Sequence, residues 1–133
     1  MKKKVLAIVL DKESKSFLLL RNNPHPKHGG DFWFVVTGEV ETNETSEEAI
    51  QREVKEETNL EIEKIFNLNW KSIYEWNKET CEEENFLVFA KPGKIILNEE
   101  NIEYNWLKLG EFVKKIRWED DPNLLKEVLK RAL

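Results

Sequence analysis

The chain has 133 residues, a formal net charge of −5, and five Trp and seven Phe residues. This length suits one domain with a single core, and the aromatic content excludes a disordered chain. The acidic balance excludes a surface built to bind duplex nucleic acid or an anionic membrane. Cys81 is the only cysteine, so an internal disulfide is excluded, and we expect a protein of the reducing cytoplasm.

The N-terminal region is predicted to begin with paired strands. Val5–Leu10 and Phe17–Leu20 are apolar runs of strand length separated by a polar turn. The three lysines before the first run resemble the start of a signal peptide, but that run is too short and Asp11 ends it. Asn22–Asp31 is rich in Pro, Gly and Asn and is predicted to be a loop, and Phe32–Val36 is predicted to be the next strand.

The remainder of the chain alternates strands and helices. Apolar patterning predicts further strands over Glu61–Trp76, Phe86–Ala90, Ile95–Leu97 and Tyr104–Leu109, the first of them containing a bulge. Asp121 before Pro122 predicts the start of a C-terminal helix. We find no repeat, linker or second domain, so residues 1–133 are predicted to form one domain. This order of elements predicts helices packed on a mixed sheet, although the pattern alone does not decide between the α/β and α+β fold classes.

A capped helix is predicted in the middle of the chain. Thr45 and Glu48 have the spacing of a capping box, which satisfies free backbone donors at a helix start. The helix is expected to run to about Thr58. Asn59 then takes the position of a left-handed cap residue, where Asn is the usual substitute for Gly.

One face of this helix collects carboxylates. On a helical wheel, Glu53, Glu56 and Glu57 share a sector of about 100° with the small Ala49 at its centre. Ile50 and Val54 lie beside that sector and are predicted to pack on the sheet, whereas the solvated side is predicted to carry Glu47, Gln51, Lys55 and Thr58.

Most acidic helix faces are simply solvated, but this one contains unfavourable like-charge pairs. Glu53 lies three residues from Glu56 and four from Glu57, and each pair costs roughly 0.2–0.5 kcal/mol. Arg52 is expected to pair with Glu48 and Glu56, which relieves only part of the repulsion. Bound divalent cations would relieve the rest, and clustered carboxylate oxygens suit Mg²⁺ or Mn²⁺.

The stretch 38–60 resembles a known family signature. Its residues GEVETNETSEEAIQREVKEETNL fit the spacing G-x5-E-x7-R-E-U-x-E-E, where U is aliphatic, so the chain resembles a Nudix (MutT-like) hydrolase. The resemblance implies the α/β/α sandwich of the Nudix fold with a mixed β-sheet. It also implies cleavage of a diphosphate linked to another moiety, with divalent cations. Asn59 stands where the family has Gly.

The resemblance also assigns roles to residues of this stretch. It implies that Arg52 orients the first carboxylate of the helix and that the backbone of Gly38 approaches the metal site. Glu44 matches an outlying Glu with a supporting role, although a simple charge at the helix start is an alternative for it. The carboxylates at metal-binding positions are Glu53, Glu56 and Glu57.

Two further regions resemble substrate-site segments of Nudix relatives. Glu100 begins an E-x-x-x-Y-x-W-L segment whose Glu is a metal ligand or general base in those relatives, with Glu99 and Glu103 as competitors. An exposed acidic turn is the alternative. Arg21 resembles the basic residue that relatives use to bind substrate phosphates, although Arg at a strand end is also ordinary.

Aromatic and histidine residues near the predicted loop have two readings. Trp33 and Phe32 could stack on a substrate base, although aromatic residues in a strand more often belong to the core. His25 and His28 could form a metal pair, but prolines beside them favour a loop surface.

The segment Trp33–Gly38 resembles the entry motif of relatives that act on pterin or deoxyadenosine triphosphates. The first hypothesis is therefore a Mg²⁺-dependent pyrophosphohydrolase of a nucleoside triphosphate or similar small triphosphate. An asymmetric dinucleoside polyphosphate hydrolase is the enzyme alternative, and a non-catalytic nucleotide-binding module of Nudix fold is the alternative of another class. A small diphosphate-containing molecule is the expected partner, with a homodimer left open.

Overall fold

The computed structural model describes residues 1–24 and 30–133, and these ranges contain seven strands and three helices. In chain order the elements are β1 (Lys2–Asp11), β2 (Ser16–Asn22), β3 (Trp33–Phe34), β4 (Val36–Glu39), α1 (Ser46–Thr58), β5 (Ile62–Trp76), β6 (Glu79–Ala90), β7 (Asn101–Leu107), α2 (Leu109–Lys115) and α3 (Pro122–Lys130). Within the same ranges, no helix has the length and apolar character needed to cross a membrane.

The strands form one mixed sheet around β1. Strand β1 runs parallel to β6 and antiparallel to both β2 and β4, which pair with different parts of its other edge. Strand β5 pairs antiparallel with β6, while β3 and β7 pair antiparallel with β2. The predicted mixed sheet is confirmed. Because β4 pairs with the central strand β1, the helix α1 that follows β4 starts near the centre of the sheet.

Helices cover both faces of the sheet. On one face, Ala49, Ile50 and Val54 of α1 are fully buried in a core with alternate residues of the sheet strands. On the other face, Phe112 of α2 and Leu125 of α3 are fully buried in a second core. Each large apolar side chain buried in this way contributes about 1.5–3 kcal/mol. The predicted α/β/α sandwich is confirmed.

Several predicted elements are present with the expected character. The first two strands pair through Leu10 and Phe17. The long strand β5 is irregular, because its register with β6 shifts between Asn67 and Trp70. Asp121 caps α3 by accepting a hydrogen bond from the backbone N–H of Asn123 at 2.9 Å.

Other predicted boundaries are wrong. Ile95–Leu97 is not a strand: its alternating side chains pack partly against the first core, but the backbone lies beside α1, where Ile96 donates one hydrogen bond to Thr58. The strand predicted over Phe32–Val36 begins at Trp33 and is interrupted at Val35. The strand predicted over Tyr104–Leu109 ends at Leu107, and Leu109 begins α2, which has no capping side chain to announce it.

The loop predicted over Asn22–Asp31 is partly described. Asn22 belongs to β2, and its Oδ1 accepts a hydrogen bond from the backbone N–H of Phe32 at 2.7 Å, which ties the two ends of the segment together. Residues 25–29, with His25 and His28, lie outside the described residues, so the predictions made for them stay predictions.

Candidate active site

The ends of α1 are fixed by the residues that the sequence singled out. Thr45 Oγ1 accepts a hydrogen bond from the backbone N–H of Glu48 at 3.1 Å, and the Glu48 carboxylate accepts one from the backbone N–H of Thr45 at 3.0 Å. At the other end, Asn59 adopts a left-handed conformation with φ of 68°. The predicted capping box and left-handed cap are therefore confirmed, and the departure from the motif falls at a helix end.

The helical wheel predicted Thr58 on the solvated side of α1, and this prediction is wrong. Thr58 is fully buried, and the segment around Ile96 lies against it. Its hydroxyl donates to the carbonyl of Val54 at 2.6 Å and accepts from the backbone N–H of Leu60 at 3.1 Å. These two bonds satisfy the hydroxyl at the point where the chain turns back toward the sheet.

Arg52 joins the start of the site to its carboxylates. Its guanidinium donates to both oxygens of Glu44, at 2.8 and 2.9 Å, to Glu53 Oε1 at 2.6 Å and to the backbone carbonyl of Glu39 at 2.8 Å. The predicted pairing of Arg52 with Glu48 is wrong, because the Glu48 carboxylate is used in the capping box. Instead, Glu44 holds the guanidinium from outside the helix.

Glu44 is consequently more than a loop charge. Hydrogen bonds from Arg52, and then from the backbone N–H of Glu41, lower the pKa of Glu44 to about 2. The carboxylate is ionised at neutral pH and fixes the guanidinium, which in turn fixes Glu53. This arrangement gives the supporting role proposed for Glu44 a physical basis.

Glu57 is the buried member of the carboxylate cluster. It is only 5% exposed, and Glu53 lies close enough to influence its carboxyl group. Asn101 Nδ2 contacts its Oε1 at 3.4 Å, while its Oε2 has no hydrogen-bond partner among the described residues. Burial above all, followed by Glu53 and Glu100, raises the pKa of Glu57 far above its ordinary value. Without a cation, Glu57 therefore holds a proton at neutral pH.

Glu100 joins this cluster from the segment before β7. Partial desolvation, followed by the charge of Glu53, raises the pKa of Glu100 although the residue is exposed on one side. Its backbone carbonyl accepts a hydrogen bond from Asn23 at 2.8 Å. Of its two competitors, Glu103 is bound to Arg21, and Glu99 uses its backbone carbonyl to accept from Asn23. Among these three acids, Glu100 is the one whose charge influences Glu57, which supports its proposed place in the cluster.

Gly38 leaves room for the first carboxylate. It lies in β4 opposite Val5, and a Cβ atom built on it would stand 2.2 Å from Glu53 Cδ and 2.4 Å from Glu53 Oε1. Real Cβ atoms do not approach other heavy atoms so closely, so the Glu53 side chain requires glycine at this position. The spacing of the motif therefore has a direct steric reason.

The residues present fit a hard divalent cation. Glu53, Glu57 and Glu100 influence one another electrostatically, Glu56 lies at the exposed rim near Arg52 and Glu100, and one buried oxygen of Glu57 is unpaired. Within residues 1–24 and 30–133, no group of three or more acidic, His or Cys side chains is arranged to hold a metal ion as the side chains stand, so the carboxylates would have to converge on the ion. A bound ion would displace the proton that Glu57 holds, since carboxylate ligands must be deprotonated.

The two predicted substrate-binding residues, Arg21 and Trp33, contact other side chains of the protein. Arg21 donates to both oxygens of Asp31, at 2.8 and 2.7 Å, and to Glu103 at 2.5 Å. Trp33 packs at the edge of the second core, and Lys115 Nζ stands 4.0 Å from its ring centroid. Phosphate binding by Arg21 would require it to exchange carboxylates for phosphate, so both roles stay predictions.

A cavity of about 560 Å³ opens on the sheet face opposite α1. Its wall includes the aromatic residues Phe32, Phe34, Tyr74 and Trp118 together with the polar residues Thr37 and Asn85. Thr37 immediately precedes Gly38, so the cavity and the carboxylate cluster lie on the two faces of the same short strand β4. The sequence indicated Phe32 as a stacking residue, whereas Tyr74, Asn85 and Trp118 come to the cavity from distant segments.

Comparison with known proteins identifies relatives of this chain. The sequence matches the NUDIX domain family over residues 1–128. It is 25% identical to the dihydroneopterin triphosphate diphosphatase of Haemophilus influenzae, over 94% of this chain and 85% of that protein. It is 33% identical to the NAD-capped RNA hydrolase NudC of Mannheimia succiniciproducens, over 78% of this chain and 39% of that protein.

Solved structures show the same fold. The E. coli dihydroneopterin triphosphate pyrophosphohydrolase superposes with a TM-score of 0.76 at 21% identity, covering 98% of this chain and 96% of that chain. A C. elegans Ap4A hydrolase superposes with a TM-score of 0.75 at 21% identity, covering 99% of this chain and 95% of that chain. Both similarities support the α/β/α architecture.

Proposed function

Because the chain belongs to the NUDIX domain family of hydrolases acting on phosphoanhydride bonds, we propose that it is a Mg²⁺-dependent pyrophosphohydrolase. Its proposed substrate is a nucleoside triphosphate or a similar small triphosphate. The observation that carries the proposal is the carboxylate cluster of α1 around the buried Glu57, in which Arg52 orients Glu53 and Gly38 leaves room for it.

Each residue of the cluster has a defined task in the proposed reaction. Glu53, Glu57 and Glu56 would hold the cation from α1, with Glu100 and the backbone of Gly38 completing the site. A bound Mg²⁺ supplies charge that neutralises phosphate oxygens and acidifies water. Arg52 keeps Glu53 in place, and Glu44 keeps Arg52 in place, so the ligands are positioned before substrate arrives.

A net charge of −5 opposes the binding of a triphosphate, so bound cations would have to reverse the sign of the charge at the site. Four carboxylates at one site would repel phosphate oxygens unless their charge were compensated. Glu100 reaches the cluster from the β7 side, and an ionised carboxylate there would accept a proton from attacking water. The product would be a monophosphate and pyrophosphate.

The cavity would hold the organic part of the substrate. Its aromatic wall suits a planar ring, and its position across β4 from the carboxylate cluster leaves the phosphate chain to pass the free edge of that strand. The H. influenzae relative acts, by its name, on a pterin triphosphate, whose ring and triphosphate have this general form.

The experiment measures Mg²⁺-dependent turnover over a panel of triphosphates and identifies the products by chromatography. Release of pyrophosphate and a monophosphate supports the proposal, whereas two nucleotides from a dinucleoside polyphosphate would favour the alternative hydrolase. Glu57→Gln should lower turnover at least about hundredfold, because it removes a ligand charge opposite the reacting phosphate. Glu47→Gln, on the exposed side of α1, is the matched control and should retain activity.

A non-catalytic binding module of the same fold is the alternative of another class. Such a module has no need for a carboxylate cluster that burial and like charges make unfavourable. Absence of Mg²⁺-dependent turnover over the whole panel, combined with tight binding of one nucleotide, would favour the module.

A further inference from the structure

The cavity contains a buried polar group that the proposed chemistry does not use. Asn85 lies in the cavity wall and is 1% exposed, yet its Oδ1 has no hydrogen-bond partner in the described part of the chain. Buried side-chain oxygens without a partner are rare in native proteins, and each asks for an explanation. A ligand that donates a hydrogen bond at this point explains the unpaired amide.

A second acceptor lies beside Asn85. Glu83 is two residues earlier in β6, so its side chain projects from the same face of the strand at about 6.6–6.8 Å along it. It also lines the cavity and is 8% exposed. Tyr74 donates its hydroxyl proton to Glu83 Oε2 at 3.1 Å, which uses one of the roughly four acceptor positions of a carboxylate. Two residues with acceptor groups therefore line the same cavity.

A donor completes the polar part of the wall. The indole nitrogen of Trp118 is buried and has no hydrogen-bond partner among residues 1–24 and 30–133. An indole N–H can only donate, so it requires an acceptor. The Trp118 ring is held by Phe34 and Trp70, with centroid distances of 6.3 and 5.6 Å. Its position is thus set by packing before a ligand enters.

We propose that this wall selects a ring whose edge presents two adjacent N–H donors followed by a carbonyl oxygen. That edge is the 2-amino-4-oxopyrimidine edge shared by guanine and pterins. Asn85 and Glu83 accept from its amino group and ring N–H, and Trp118 donates to its carbonyl oxygen. The inference rests on the proposed function and deepens it by naming the substrate class.

Other bases do not match this arrangement. Adenine and cytosine each present one amino donor beside a ring-nitrogen acceptor, and uracil presents a single N–H between two carbonyl groups. Each of them would leave one of the two protein acceptors unpaired in a buried site. A site built for hydrogen bonding discriminates strongly against a ligand that lacks the matching groups.

The first test compares kcat/KM for GTP, ITP and ATP in the presence of Mg²⁺. Inosine lacks only the 2-amino group of guanosine, so ITP should lose roughly ten- to hundredfold relative to GTP, and ATP at least as much. 7,8-Dihydroneopterin triphosphate carries the same edge on a pterin. A kcat/KM for this compound above that for GTP would identify pterin triphosphates as the preferred substrates, and a lower kcat/KM would identify guanine nucleotides.

The second test changes Asn85. Asn85→Leu should reduce the GTP-to-ATP ratio of kcat/KM at least about tenfold, whereas Asn123→Ser, exposed on α3 and outside the cavity, should leave that ratio unchanged. Because the amide is unpaired, the Leu variant should unfold at a temperature no lower than the wild type. Asn85→Ser provides the same comparison if the Leu variant does not fold.

Direct binding separates this inference from the proposed function. Calorimetric titration of the wild type should show GMP binding at least tenfold more tightly than AMP, whether or not any triphosphate is hydrolysed. Equal kcat/KM for GTP and ATP with equal binding of the monophosphates would overturn the inference while the hydrolase assignment stands. No hydrolysis together with a GMP preference would overturn the hydrolase assignment alone.

Discussion

Replacing Glu57 with Gln should stabilise the metal-free protein above neutral pH while removing its activity. Glu57 is 5% exposed, and burial raises the pKa of its carboxyl group far above the unfolded value near 4.5. The folded state therefore binds a proton that the unfolded state has already released. A carboxyl group whose pKa is raised in the folded state makes its full contribution to stability below pH 4.5, where it is protonated in both states. That contribution is lost as the pH rises toward the pKa of the folded state.

The size of this effect follows from one proton. A full difference of one bound proton changes the free energy of unfolding by about 1.4 kcal/mol per pH unit. Between pH 6 and 8 the wild type should thus lose up to about 2.7 kcal/mol through Glu57, a sizeable part of an ordinary stability of about 5–15 kcal/mol. A neutral Gln at this position carries no such dependence.

Urea unfolding in EDTA at pH 6, 7 and 8 measures the difference. The free energy of unfolding should fall less steeply with pH in Glu57→Gln than in the wild type or in the exposed control Glu47→Gln. Added Mg²⁺ should restore stability at pH 8 in the wild type but not in Glu57→Gln, because a ligand bound only by the folded state stabilises it. Identical pH slopes in all three proteins would refute the reasoning.

Three further predictions concern the surroundings of the cluster. Gly38→Ala should lower kcat at least about tenfold with the fold retained by circular dichroism, because the new Cβ displaces the Glu53 carboxylate; unchanged kcat would contradict the steric argument. Glu44→Gln should also lower kcat about tenfold, because it weakens the hydrogen bonds that hold Arg52. Added guanidinium should rescue an Arg52→Ala variant but should not rescue the double variant Arg52→Ala, Glu44→Gln. Asn59→Gly should raise stability by a few tenths of a kcal/mol in urea unfolding and leave kcat unchanged, because φ at this position is positive and the residue lies away from the carboxylates; a clear change in kcat would connect this position to catalysis.

The local features of α1 were predictable from the sequence. The capping box of Thr45 and the left-handed cap at Asn59 depend on residues within three or four positions of one another, and such spacings can be read directly. Burial of Ile50 and Val54 likewise follows from the helical repeat. The apolar face of α1 therefore packs as predicted.

Features that depend on distant segments were not predictable. Arg52 pairs with Glu44 rather than Glu48 because the loop before α1 folds back over the guanidinium. The helical wheel could not show that Thr58 is covered by the segment around Ile96, which returns from beyond β6. Tertiary contacts of this kind override local pattern.

The cavity illustrates the same limit at the level of the site. Asn85 belongs to a strand, whereas Trp118 belongs to the segment between α2 and α3, and nothing in their spacing indicates that they share a cavity. The sheet register sets Trp70 beside Asn85, and the Trp118 ring stands against Trp70, so tertiary packing brings these elements together. The family signature fixed the reaction class, and the selectivity became visible only in three dimensions.

The most direct test of the account is product identification with the wild type and two variants of α1. Incubation with GTP should release GMP and pyrophosphate only when Mg²⁺ is present, at a rate lowered at least about hundredfold by Glu57→Gln and maintained by Glu47→Gln. Equal, Mg²⁺-independent product formation by all three proteins would contradict the assignment of the reaction to the carboxylate cluster.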